Sequence, residues 1–158
     1  MKTTPLLLAA FMAFAAVDVA AQNAREVEPR FGSLRSDEVN VRKGPGLSFP
    51  IQWVFRRRNL PVIITAEVDN WRRIRDFEGE EGWVEGSLIS TRQSALVQGD
   101  GLQELFEEAD DGSDLIAQVE PGVTARIVEC RGGEWCQLDT SAGRGWMKAD
   151  VLWGALEP

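Results

Sequence analysis

The chain has 158 residues, 44% of them hydrophobic and 27% charged, with a formal net charge of -8. This fits one or two small globular domains. The chain has no histidine, which excludes Ser-His-Asp and Cys-His catalysis and His-ligated zinc; its acidic balance disfavours nucleic acid as a partner.

Residues 1–21 read as a secretory signal peptide. Lys2 gives a basic start, Leu6 to Val17 is an uncharged apolar run, and Val19-Ala20-Ala21 offers small residues for cleavage before Gln22. The apolar run is shorter than the roughly 20 residues a membrane span needs. No stable membrane insertion is expected after cleavage, and the mature protein is expected to be periplasmic or secreted. Residues 22–32 read as an N-terminal extension.

Short runs rich in Val, Ile and Trp follow. The expected strands are Glu38–Arg42, Ile51–Phe55, Val62–Glu67, Trp71–Asp76 and Gly82–Val84, separated by Gly, Pro, Asn or acidic turns. That spacing predicts an all-β sandwich or barrel. "QELFEEADDGSDLIAQV" has a weak helical period but reads better as a first strand and long loop of a second unit. Cys130 and Cys136 flank the turn signal Gly132-Gly133, and in an oxidising compartment a hairpin there brings them together. The spacing is not Cys-x-x-Cys, so a structural disulfide is expected rather than a redox pair, and two thiols alone do not make a metal site.

The two halves differ in charge. Residues 33–92 hold ten Lys and Arg against nine Asp and Glu, whereas residues 93–158 hold four against thirteen. They nonetheless repeat one pattern. Trp71 aligns with Trp135, Ile74 with Leu138, Gly82-Trp83-Val84 with Gly145-Trp146-Met147, and Leu88 with Val151. Upstream, "LPVIITAEV" matches "PGVTARIVE".

With "VNVRKGPGLSFP", the Trp71 strand and "GWVEGSLI" in this order, the chain resembles the bacterial SH3-like family. Its layout is similar to exported two-copy members from Gram-negative bacteria, including the ending Leu152-Trp153-Gly154. The resemblance implies two tandem small β-barrels, 33–92 and a divergent 93–158. In the second copy "LFEEADD" stands where the first has "NVRKGPG", placing an acid near Glu107 opposite Arg42. The resemblance also implies a binding loop opened by "RKGPG". There Gly44 and Gly46 would supply φ values closed to other residues, and Pro45 would stiffen the loop.

The ligand-binding candidates are Asn40, Arg42, Trp53, Trp71 and Arg73. Asn40 is expected to hydrogen-bond nearby backbone. Arg42 either pairs with an acid such as Asp37 or Glu85 or reads a ligand carboxylate. Trp83 and Trp146 are expected in the core, with Trp71 and Trp135 half exposed. Arg56-Arg57-Arg58 is either a solvated face or docks on an acidic partner, the second copy included. No catalytic residue, metal or cofactor is expected, since the clustered carboxylates Glu78, Glu80 and Glu81 lie in a turn. The expected function is non-catalytic recognition of peptidoglycan or its stem peptides. The alternative is an adaptor that uses the acid run Glu104–Asp114 to recruit or regulate a cell-wall enzyme, its partner being an envelope protein.

Overall fold

A computed structural model describes residues 24–158. The expected signal peptide lies outside the described residues. Fourteen strands form two seven-stranded antiparallel sheets. The first contains β1 (Arg25–Leu34), β2 (Val39–Arg42), β3 (Ile51–Phe55), β4 (Pro61–Val68), β5 (Trp71–Arg75), β6 (Glu81–Glu85) and β7 (Ile89–Ser90). The second contains β8 (Ser94–Val97), β9 (Gln103–Phe106), β10 (Leu115–Val119), β11 (Thr124–Arg131), β12 (Trp135–Thr140), β13 (Gly143–Lys148) and β14 (Leu152–Trp153). The spatial orders are β3-β2-β6-β5-β4-β1-β7 and β10-β9-β13-β12-β11-β8-β14, the same order advanced by seven strands. The chain is thus all-β, with two tandem SH3-like barrels.

Each barrel fills its interior from alternating positions. Val39 and Val41 of β2 point inward with Val62, Ile64, Ile74 and Val84, while Asn40 points out. In the second barrel Leu105, Ile127, Leu138 and Met147 do the same. Burying each such side chain contributes about 1.5–3 kcal/mol. The stretch expected as an extension is different: Arg25–Leu34 is β1 and pairs with β4 and β7. Pro29 and a register shift between Glu26 and Arg30 interrupt its alternation, which is why it does not read as a strand.

The barrels dock through the end of the chain. Leu152 joins the second core, and its neighbour Trp153 packs against the first. Trp153 meets Phe31 and Phe77 edge-on, at centroid distances of 5.1 and 6.3 Å. Leu96 of β8 also joins the first core. Gly154 has a φ of 102°, and a Cβ there would lie 2.5 Å from the Ser94 carbonyl oxygen, so only glycine fits the turn after Trp153. Within the arginine run, Arg57 donates to the Gly122 carbonyl, and the Arg58 carbonyl accepts from Thr124 Oγ1 at 3.3 Å. Arg56 pairs with Glu38 at 2.7 Å. Arg56 and the Arg58 guanidinium, which pairs with Asp37 at 3.7 Å, stay on the solvated surface of the first barrel, and the contacts to the second barrel run through backbone carbonyls rather than acidic side chains.

Candidate ligand-binding face

The loop between β2 and β3 is closed by its own side chains. The Lys43 amide donates to the Pro50 carbonyl at 3.0 Å, and Arg42 Nη1 donates to the carbonyls of Phe49 at 2.7 Å and Leu47 at 3.2 Å. The Phe49 ring lies against Gly44, where a Cβ would sit 2.4 Å from it. Neither Gly44 nor Gly46 takes a positive φ. The loop needs glycine for the close approach of Phe49, not for unusual backbone angles. Neither expected acid holds Arg42, and the bracing expected of Asn40 falls to Arg42: Asn40 is exposed and makes no side-chain hydrogen bond among the described residues.

Cross-strand pairing assembles an outer face around Trp83. Arg42 and Arg73 flank Trp83 on the neighbouring strands, and Trp71 pairs with Glu85. By alternation Asn40, Arg42, Trp71 and Arg73 share this face. Trp53 does not. It pairs with inward-facing Val41, packs against the core and meets Phe55 edge-on at 6.0 Å, with its indole N–H buried and unpaired among the described residues. Arg73 is held by Glu26 at 2.7 Å and by Thr65 Oγ1 at 3.0 Å. Trp83 is buried, but on this outer face opposite Val84, and is no part of the barrel core.

The second barrel shows the same face filled. Trp146 pairs with Phe106 as Trp83 pairs with Arg42. Phe106, not Glu107, therefore occupies the Arg42 position. The expected alignment was one residue out, and such a slip moves a side chain to the opposite face. Both loops have eight residues and the same closing bond, since the Glu107 amide donates to the Asp114 carbonyl at 2.9 Å. Phe106, Trp135 and Trp146 form a cluster of their own outside the barrel core, and Trp135 is buried where partial exposure was expected. Lys148 Nζ lies 4.0 Å from the Trp135 ring centroid, and the Arg131 guanidinium lies 4.2 Å from that of Trp146.

The cysteines are bonded, directly opposite each other on β11 and β12. The same ladder position in the first barrel holds Glu67 and Arg72, paired at 3.2 Å. The hydrogen bond from Arg30 holds the Glu67 carboxyl below the ordinary glutamate range, and the charges of Arg72 and Arg25 add to this against the effect of burial. Asp76, buried at the start of the "FEGEEG" turn, accepts the amides of Glu78 at 3.0 Å and Glu80 at 2.9 Å. Glu81 pairs with Arg75 at 2.8 Å. Among the described residues no group of three or more His, Cys, Asp or Glu is placed to hold a metal, and no helix is long and apolar enough to cross a membrane.

Two small barrels, each carrying a tryptophan-centred outer face and a looped β2–β3 or β9–β10 connection, define a tandem β-barrel protein whose two faces differ at one position, Trp71 being half-buried and Trp135 buried. The chain belongs to the bacterial SH3 domain family, whose model, "Bacterial SH3 domain", matches residues 35–91 and 100–154. It is 25% identical over 129 residues to the Bacillus subtilis (strain 168) protein named "Putative N-acetylmuramoyl-L-alanine amidase YrvJ". That match spans 75% of this chain but 24% of the relative, so the chain corresponds to about a quarter of the relative's length. Among solved structures, NlpC2 from Trichomonas vaginalis matches with a TM-score of 0.36 and 14% identity, covering 80% of this chain and 48% of that one. NlpC1 from the same organism matches with a TM-score of 0.36 and 13% identity, covering 79% and 45%.

Sequence reasoning missed Phe49 and Lys148, and named Glu85 as a partner for Arg42 rather than as the cross-strand neighbour of Trp71. Glu85 and Lys148 were visible as opposite charges at matching places in "GWVEGSL" and "GWMKADV". The role of Phe49 depends on how the loop folds back, for which the sequence carries no periodic signal.

Proposed function

We propose that the protein is a non-catalytic module of the cell envelope that recognises peptidoglycan, through its stem peptides, on the first barrel. The observation that carries this reading is the contrast between the two outer faces. The second covers its tryptophans with Phe106, Lys148 and Arg131, while the first leaves Trp71 half-buried beside exposed Asn40. Half-exposed aromatics with polar neighbours suit peptide contacts, because stacking area and hydrogen bonds are available together. The amidase name of the Bacillus relative gives the same direction.

In this reading Trp71 and Asn40 contact the ligand directly. Arg42 fixes the loop wall, with Nε and Nη2 left to reach a ligand carboxylate. Arg73 and Trp53 support the face from the sheet and from beneath. The absence of histidine and the commitment of Glu81 to Arg75 support binding without catalysis. Export by residues 1–21 places the module in the periplasm or outside the cell. Titration with soluble stem peptides, followed by backbone amide resonances, tests the reading. Shifts clustered at 40–50 and 71–73 support it; no saturable shifts contradict it.

A second reading has its own observation. The loop matching "KGPGLSFP" in the second barrel is "EEADDGSD", of the same length and largely exposed. This acidic tip suits a basic surface on a protein partner, which is the adaptor role.

A further inference from the structure

In the second barrel Lys148 is the direct cross-strand neighbour of Trp135. Its ammonium lies over the Trp135 ring at 4.0 Å and is held by Asp111 at 2.9 Å. The barrel thus supplies its own alkylammonium to its own aromatic face. The first barrel has the same ladder position with the charge reversed, because the cross-strand neighbour of Trp71 is Glu85. The loop residue that matches Asp111 is Leu47, exposed at the loop tip.

At this ladder position the first face therefore has an aromatic ring and a carboxylate where the second has a cation, while Arg42 on the same face holds the Phe49 and Leu47 carbonyls. Among the described residues no cation stacks on Trp71, and Glu85 makes no ion pair. The nearby arginines are committed elsewhere. Arg72 donates to the carbonyls of Asp69 and Trp71 and pairs with Glu67, while Arg73 is held by Glu26 and Thr65. An aromatic face beside a carboxylate is complementary to a cation, through the ring quadrupole and the opposite charge.

We propose that Trp71 and Glu85 form a subsite for a lysine-type alkylammonium group of a peptide ligand, in the place that Lys148 fills in the second barrel. This deepens the wall-binding reading and rests on it for the source of the ligand. The second barrel is then closed to such a ligand by its own lysine, and the divergence of the two copies acquires a physical meaning.

The test follows the Trp71 indole resonance during titration with Nα-acetyl-L-lysine methylamide and with its Nε-acetylated form. The free amine is expected to give a saturable shift, and the acetylated form to bind about tenfold more weakly or not at all. Glu85→Lys, at an exposed position, is expected to abolish the response, and Lys148→Glu to create one at Trp135. Equal responses to the two probes, no saturable shift with the free amine, or an undiminished response in Glu85→Lys overturns the proposal. Sedimentation with purified sacculi separates the two readings. If sacculi bind wild type and Glu85→Lys equally, the subsite falls and the wall reading stands. If the amine shifts Trp71 but sacculi do not bind, the subsite stands and the wall reading falls.

Discussion

Trp153, on the last strand of the second barrel, meets Phe31 on the first strand of the first barrel edge-on, with ring centroids 5.1 Å apart. One residue earlier, Leu152 lies in the core of its own barrel. Successive side chains of one short strand thus enter two different cores. Trp153→Ala is expected to cost about 2–4 kcal/mol, somewhat less than for a fully buried tryptophan. It is also expected to uncouple the barrels, so that one cooperative unfolding transition becomes two. Urea denaturation read by tryptophan fluorescence and by far-ultraviolet circular dichroism checks both.

The disulfide closes a short hairpin, so its effect on the unfolded chain is modest. Replacing Cys130 and Cys136 together by serine is expected to lower the stability of the second barrel by about 2 kcal/mol. The first barrel holds the matching position with an ion pair instead and is expected to be unaffected by reductant. Denaturation with and without reductant, followed separately in the two barrels, checks this.

Glu67 gives the first barrel an acid-sensitive joint. Its folded pKa lies below the ordinary value of 4.5, chiefly because Arg30 donates to it. The stabilisation is therefore complete above that value and is lost as pH falls from there through the folded pKa. Glu67→Gln is expected to lower stability at neutral pH and to flatten this part of the acid limb. Melting temperature against pH, compared between wild type and variant, measures the difference.

Gly44 tests how the loop is built. An added methyl group would press on the Phe49 ring and displace the carbonyl that Arg42 holds. Gly44→Ala is expected to cost about 1–2 kcal/mol and to weaken ligand binding through loop displacement. Gly46→Ala has more room, with the nearest ring atom at 3.3 Å, and is expected to be milder. Chemical denaturation of the two variants gives the comparison.

The strands β2 to β6 were legible because they are short runs rich in Val, Ile and Trp, separated by Gly, Pro, Asn or acidic turns. β3 was placed to the residue, and β2, β4, β5 and β6 to within one at each end. The first strand was not legible, since Pro29 and a bulge break its period. The repeat was clear from Trp71 and Trp135, but its loop register was not. Gly-Pro-Gly has no counterpart in the second copy to anchor an alignment, and the shared inward position of Val41 and Leu105 emerges only from strand pairing.

For the candidate face, four of the five named residues lie together, but their roles were harder to read than their identities. Arg42 and Arg73 look like free cations in sequence, but Arg42 is held by carbonyls of its own folded-back loop and Arg73 by Glu26, distant along the chain. Trp53 and Asn40 belong to adjacent strands yet point to opposite sides. Its position at the start of a strand beside a turn suggested partial exposure for Trp135, but Lys148 and Phe106 cover it.

The central claim is that the first barrel recognises peptidoglycan. Its most direct test is co-sedimentation of the chain lacking residues 1–21 with purified sacculi, at low and physiological salt. Wild type, Arg42→Ala and Trp71→Ala are compared after circular dichroism confirms that each is folded. The account predicts binding that persists at physiological salt, falls about tenfold or more with Trp71→Ala and weakens with Arg42→Ala. A folded wild-type protein that stays in the supernatant at physiological salt contradicts it.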